Sequence, residues 1–161
     1  MMNTELSEII ASLNARHETI GFAESCTGGG LTRLFALVPG VSSVLRGGVV
    51  SYMPEVKSGV LHVDHALMTR FGIVSRETAI SMALGALHVL GSDWAAATTG
   101  YAGPGGGDER YPVGTVCYAV VSPKHRVYHT GCLHLDGDRA DIMMQAAESV
   151  VNAISKRMAN L

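Results

Sequence analysis

Three adjacent residues, Ser25, Cys26 and Thr27, place a hydroxyl, a thiol and a hydroxyl side by side in the stretch AESCTGGG. Glu24 precedes them, and Gly28, Gly29 and Gly30 follow. Such a run could hold a nucleophile, because each of these side chains forms covalent intermediates once a neighbour takes its proton. It could also cradle a phosphate on backbone N–H groups, or simply cap a helix after a tight turn. A second stretch, TTGYAGPGGG from Thr98 to Gly107, ends a run of small residues with two hydroxyls and an irregular loop. Backbone N–H groups in such loops favour anions, although a purely structural loop fits equally well. It lacks the lysine of a P-loop and the dinucleotide-binding G-x-G-x-x-G. The first stretch is not the G-x-S-x-G elbow of an α/β-hydrolase.

A serine nucleophile needs a base. The chain offers His17, His62, His65, His88, His125, His129 and His134, none of them in the two glycine stretches. His62 and His65 have a loose metal-like spacing without an evident third ligand, so packing or surface roles fit them better. Lysine is the other activator, and it works as a base only when burial or a nearby cation lowers its pKa. Lys57 follows the apolar run VVSYM near a helix start. Tyr52, five residues earlier, could orient or relay a proton. A solvated lysine and a half-buried strand tyrosine are the plainer readings of the same two residues. Cys26 would be activated at a helix N-terminus, but its side chain points away from that of Ser25, and packing is the safer reading. Arg139, next to Gly137 and Asp138, could clamp a phosphate or carboxylate, or pair with a surface acid.

These residues need elements to position them. Leu6, Ile9, Ile10 and Leu13 recur at helical spacing, with Thr4 as a possible cap. TIGFAE then reads as a strand ending at Glu24, and LTRLFALV as a helix stopped by Pro39 and Gly40. Residues 47–53 read as a second strand, and Pro54 suits the first turn of a short helix. DHALMTRFG predicts another short helix. The clearest helix runs from an N-cap at Ser75 to Gly91, with Ala79, Met82, Ala83, Ala86, Leu87 and Leu90 inward. WAAATT predicts a third strand, and VGTVCYAVV and RVYHTGCLHL a hairpin around SPKH. A long amphipathic helix closes the chain, with Ile142, Ala146, Ala147, Val150, Val151, Ile154 and Met158 on its inner face. Strand–helix alternation followed by a hairpin predicts an α/β fold: a three-layer α/β/α sandwich around a mixed sheet of about five strands. Ligands of such sheets sit beyond the carboxyl ends of the parallel strands, where both glycine stretches emerge.

The bulk composition bounds the rest. With 161 residues, 47% hydrophobic and 16% charged, the chain predicts one domain over 1–161 with a proper core. A net charge of -2 and no basic block give nucleic acid little to hold. The apolar runs are shorter than the roughly 20 residues of a membrane helix. MMNTELSEII lacks the layout of a signal peptide, so a cytoplasmic protein is expected. Three cysteines, Cys26, Cys117 and Cys132, with no C-x-x-C pair argue against a disulfide framework or zinc ribbon. Cys117 and Cys132 read as small buried hydrophobes.

Taken in order, AESCTGG, VPGVSSVLRGGVVSY, Glu55 and Lys57, GIVSRETAISMALGAL, TTGYAGPGGG, PVGTV and GDRADI resemble the CinA C-terminal domain family over nearly the whole chain. The chain is similar to stand-alone nicotinamide-nucleotide amidases. The resemblance implies a three-layer fold and hydrolysis of nicotinamide mononucleotide (NMN) to nicotinate mononucleotide and ammonia, with no metal or organic cofactor. It implies Ser25 as nucleophile, Lys57 as base, Tyr52 as proton-handling partner and Thr99 as a supporting hydroxyl. Substrate contacts are expected from Thr27, Gly28, Gly29, Gly103, Gly105, Gly106 and Arg139. A small nucleotide substrate and a homodimer or higher homo-oligomer are the implied partners. The family's Y-S-N-E-x-K reads YMPEVK here, its TGIAGP reads TGYAGP, and Met143 and Met144 stand where arginine is common. Met53 and Pro54 therefore define a competing reading, a nucleotide-binding or regulatory paralogue that has lost catalysis.

Overall fold

The computed structural model describes residues 1–161. Its elements are α1 (Met2–Arg16), β1 (Ile20–Glu24), α2 (Gly30–Ala36), β2 (Leu45–Val50), α3 (Pro54–Gly59), α4 (His65–Phe71), α5 (Arg76–Leu90), β3 (Trp94–Gly100), β4 (Thr115–Ser122), β5 (Val127–His134) and α6 (Arg139–Met158). The five strands form one sheet in the order β2-β1-β3-β4-β5. β1 runs parallel to both β2 and β3, and β3, β4 and β5 are antiparallel neighbours. Helices lie on both faces, giving the three-layer α/β/α architecture. No helix is long and apolar enough to cross a membrane.

The two faces of the sheet are chemically different. On one face Ile20, Phe22, Trp94 and Val120 meet Leu6, Ile9 and Leu13 of α1, Leu31 and Phe35 of α2, and Val150 and Ile154 of α6. The rings of Phe22 and Phe35 are 4.8 Å apart. Burying each such side chain contributes roughly 1.5–3 kcal/mol. On the other face Ala23, Ala95, Ala97 and Ala119 present only methyl groups to Ala79, Met82, Ala83 and Ala86 of α5. These small residues let α5 lie close to the sheet. A Cβ on Gly21 would stand 2.6 Å from the end of Leu90, so the missing side chain makes room for that leucine.

Local signals set several boundaries. Ser75 Oγ accepts from the Thr78 N–H, and Gly91 closes α5 with φ 60°. Asp138 caps α6 in a reciprocal capping box with Asp141. α1 begins at Met2, so the expected cap Thr4 lies inside the first turn. β2 ends at Val50, three residues before the expected boundary, with the Ser51 N–H donating to Glu24 O at 2.8 Å as the last bond of its ladder with β1. The cysteine expectation is corrected. Cys117 and Cys132 face each other across β4 and β5 and are joined as a disulfide, leaving Cys26 as the free thiol. An odd count and the lack of a short C-x-x-C pair concealed a pair that only strand register brings together.

Candidate active site

The turn after β1 is built around a buried acid. Glu24 is fully buried, and its carboxylate accepts five hydrogen bonds. They come from the N–H groups of Gly29, Leu31 and Thr32 and from the hydroxyls of Thr27 and Thr32. A helix start normally leaves such N–H groups unpaired and electropositive. Here one side chain satisfies the start of α2, with Gly28 and Gly29 at positive φ (59° and 98°) closing the turn. Thr27 Oγ1 also bonds Thr98 Oγ1 at 2.8 Å, which ties the turn to β3. The Ser25 N–H donates to Thr98 O at 3.1 Å. Together these contacts fix the backbone of Ser25 at the carboxyl ends of two parallel strands.

Lys57 meets that serine from the other side. α3 begins with Pro54 at its first position, where a fixed φ fits and no N–H is needed. One turn on, Lys57 is fully buried, with Nζ 2.8 Å from Ser25 Oγ, 2.7 Å from Ser51 O and 3.2 Å from Tyr52 O. No carboxylate lies within ion-pairing distance of it. Burial therefore lowers its pKa, from the ordinary 10.5 to about 8. The substitution YMPEVK thus leaves the lysine against the serine.

The pair opens into a cavity of about 280 Å³, bordered also by Thr99, Tyr101, Ala102, Gly103, Gly105 and Arg139. Thr99 Oγ1 donates to Ile73 O at 2.8 Å, joining the end of β3 to the segment before α5. Arg139 Nη1 donates to Gly103 O at 2.6 Å, and Nη2 donates to the Tyr52 phenol oxygen. The guanidinium so bridges the α3 entry and the glycine loop. The N–H groups of Cys26, Ala102 and Gly103 donate to no acceptor elsewhere in the protein.

The geometry gathers Ser25, Lys57, Thr99, Gly103, Gly105 and Arg139 in one place and separates the others. Thr27, Gly28 and Gly29 do not border the cavity. Thr27 is buried against Glu24 and Thr98, the Gly28 N–H donates to Ser25 O, and the Gly29 N–H donates to Glu24. The start of α2 is accordingly not open to a phosphate. Gly106 lies off the cavity, close to the Tyr101 ring. Tyr52 borders it, but only its backbone carbonyl touches Lys57, while its phenol is held by Arg139. Cys26 is buried, and burial pushes its thiol up to about 12, so it carries no thiolate near neutral pH. Two contributors were missed: Glu24, which folds the turn, and the Ser51 carbonyl, which aims the lysine. An acid directly before a glycine turn and a helix was the available signal for Glu24. A backbone carbonyl leaves none.

A three-layer α/β/α protein with a buried serine–lysine pair at the ends of its parallel strands is the class that fold and site define. The model of the CinA C-terminal domain matches residues 3–158, and the chain belongs to that family. A CinA-like protein of Synechococcus sp. (strain RCC307) is 44% identical over 136 residues, which cover 83% of this chain and 31% of that protein. One from Mycobacterium marinum is 41% identical over 155 residues, covering 96% of this chain and 36% of its own length. The chain thus spans about a third of the curated relatives it matches. A competence-damaged protein (CinA) superfamily structure from Klebsiella pneumoniae superposes with a TM-score of 0.93 at 29% identity, covering 100% of this chain and 99% of that one. A competence/damage inducible protein from Agrobacterium tumefaciens gives 0.89 at 33% identity, covering 95% and 93%.

Proposed function

We propose that the chain is an amidohydrolase that cleaves the carboxamide of nicotinamide mononucleotide, releasing nicotinate mononucleotide and ammonia. The observation that carries this reading is the 2.8 Å contact between Lys57 Nζ and Ser25 Oγ, with the lysine buried and its pKa lowered to about 8. A neutral amine at that distance is positioned to take the serine proton as Oγ adds to the carbonyl carbon. The N–H groups of Cys26, Ala102 and Gly103 are free to stabilise the resulting oxyanion. Lys57 then returns the proton to the departing nitrogen, the C–N bond breaks, and ammonia leaves. In the second half-reaction a water molecule gives a proton to Lys57 and adds to the acyl carbon. The acyl–oxygen bond breaks, Ser25 regains its proton, and the free acid departs. Arg139, at the cavity rim, is the cation available to an anionic part of the substrate.

The competing reading, a nucleotide-binding paralogue without catalysis, rested on Met53 and Pro54. Pro54 at the first position of α3 is compatible with the lysine contact, which favours the enzyme. Ammonia release from NMN, with Ser25→Ala as the control, separates the two. Release by the parent chain and a loss of at least about a thousandfold in the variant are expected. Equal, background-level release from both would leave only the binding reading.

A further inference from the structure

Arg157 is a cation without a counterion. Arg139 opens α6 and Arg157 stands next to its last residue. Over a helix of 20 residues, a rise of 1.5 Å each puts the two roughly 27 Å apart. Around Arg157 a groove of about 610 Å³ opens between α6, β5 and the start of α1. Arg157 Nε is buried with no hydrogen-bond partner, and its guanidinium forms no ion pair. The acids that share the groove do not supply one. Glu5 accepts from Asn152 Nδ2 at 3.0 Å, and Glu148 lies outside ion-pairing distance. Buried donors in folded proteins are nearly always matched, and charged ones above all.

The facing wall has a defined shape. Gly131 sits inside β5, where a glycine weakens a strand and often marks the close approach of another group. A Cβ there would stand 2.7 Å from the ring of Tyr118, its partner on β4, and 2.8 Å from the phenol oxygen. The glycine thus lets the Tyr118 side chain lie across β5, with its phenol oxygen 3.2 Å from His129 Nε2. Burial, with the charges of Arg157 and Arg76, holds the His129 imidazole below its ordinary pKa. The ring is therefore neutral near pH 7 and adds a hydrogen-bonding edge without a second charge. Leu133 and Ala153 supply apolar surface in the same groove. A guanidinium matches two oxygens of a carboxylate or phosphate at once, and the ring and the leucine cover an apolar body. A nucleic-acid strand fits poorly, because Glu5 and Glu148 repel a run of phosphates.

We infer that this groove is a second binding site, for a small organic oxyanion whose charged end pairs with the Arg157 guanidinium and whose body rests on Tyr118 and Leu133. A carboxylate and a phosphate monoester share that chemistry. The site stands at the far end of α6 from Ser25 and Lys57 and shares no lining residue with their cavity. This inference does not depend on the amide chemistry, and each can fail alone.

Titration calorimetry and amide NMR on the intact chain test it, with phenyl phosphate and benzoate as probes and benzyl alcohol as the uncharged counterpart. Saturable binding of at least one anion is expected, with amide shifts at Tyr118, His129, Gly131 and Arg157. Tighter phenyl phosphate assigns the site to phosphate esters, and tighter benzoate assigns it to carboxylates. Arg157→Lys keeps the charge but loses the fork, and should weaken binding about tenfold or more. Arg157→Met should abolish it. The ligand-free protein leaves this donor unpaired, so Arg157→Met should melt no lower than the parent. The rise in Tm that the bound anion gives the parent should vanish in the variant. A purely structural arginine would do the reverse, with a lower melt and binding unchanged. Should the methionine variant misfold, the lysine variant decides. No binding of either anion, shifts confined to the Ser25 cavity, benzyl alcohol binding as tightly as the anions, or binding unchanged in either variant overturns the inference.

Discussion

At the scale of single residues, Lys57 sets the pH dependence of the proposed reaction. Its pKa in the fold is about 8 against an ordinary 10.5. In the proposed mechanism the neutral amine is the base, so kcat/KM for amide hydrolysis should climb as pH rises through about 8. A pH–rate profile flat across that value would remove Lys57 from the role. The same shift bears on stability. Between about 8 and 10.5 the unfolded chain binds more protons at this site than the folded one, so stability rises with pH across that window. Below about 8 the fold carries a desolvated ammonium. Lys57→Met should therefore stabilise the protein at neutral pH by roughly 1–3 kcal/mol, the range allowing for solvent at the cavity mouth. It should abolish hydrolysis as well. Urea unfolding of parent and variant at neutral pH and near 10.5 checks this, with the gap expected to narrow at the higher value.

At the scale of elements, the strand–turn–helix from β1 to α2 depends on Glu24. Glu24→Gln keeps the shape but replaces an acceptor-only carboxylate with an amide that has two donors and one oxygen. With five donors converging on that group, the change should cost about 2–4 kcal/mol. It should also lower kcat more than it raises KM, because Ser25 follows directly in the chain. Thermal melts and steady-state kinetics read the two effects. Much of this architecture was legible in the sequence. Proline and glycine punctuation located α2, α3 and α5, and period-3.6 stripes identified the buried faces of α1 and α6. What stayed hidden depends on the third dimension. WAAATT shows no alternation because β3 is covered on both faces, by α1 and α6 on one side and α5 on the other. Thr27, Gly28 and Gly29 look like ligand groups in a string of letters, yet their hydrogen bonds turn inward. Tyr52 stands five residues from Lys57 in sequence, but Arg139, 87 residues away, holds its phenol.

At the scale of the whole molecule, the candidate site and a buried ionic cluster lie at opposite ends of the sheet. Ser25 and Lys57 lie at the carboxyl ends of β1 and β3. At their amino ends Glu18 is buried and accepts from Trp94 Nε1 at 2.9 Å, with Lys124 Nζ at 2.8 Å and His125 Nε2 at 2.8 Å. Burial alone would raise its pKa. The hydrogen bonds from Lys124, Trp94 and His125 outweigh that and lower it from 4.5 to about 2. The sign follows: the contribution is full above about 4.5 and is lost as pH falls towards about 2. Acid unfolding followed by tryptophan fluorescence should show this limb, Trp94 being the chain's one tryptophan and part of the cluster. Glu18→Gln should flatten it. A limb unchanged in the variant would place the acid sensitivity elsewhere.

The Glu24 carboxylate has one more consequence. A helix start that holds a free anion is occupied only as far as that anion's concentration allows. Here the occupant is tethered five to eight residues from the N–H groups it serves, so its effective concentration is set by chain geometry and not by the solution. Dialysis cannot empty the turn, and added phosphate has nothing to displace it for. Removing the tether in Glu24→Ala would return that end of α2 to ordinary mass action, where acetate or formate supplied from outside becomes a stabilising ligand.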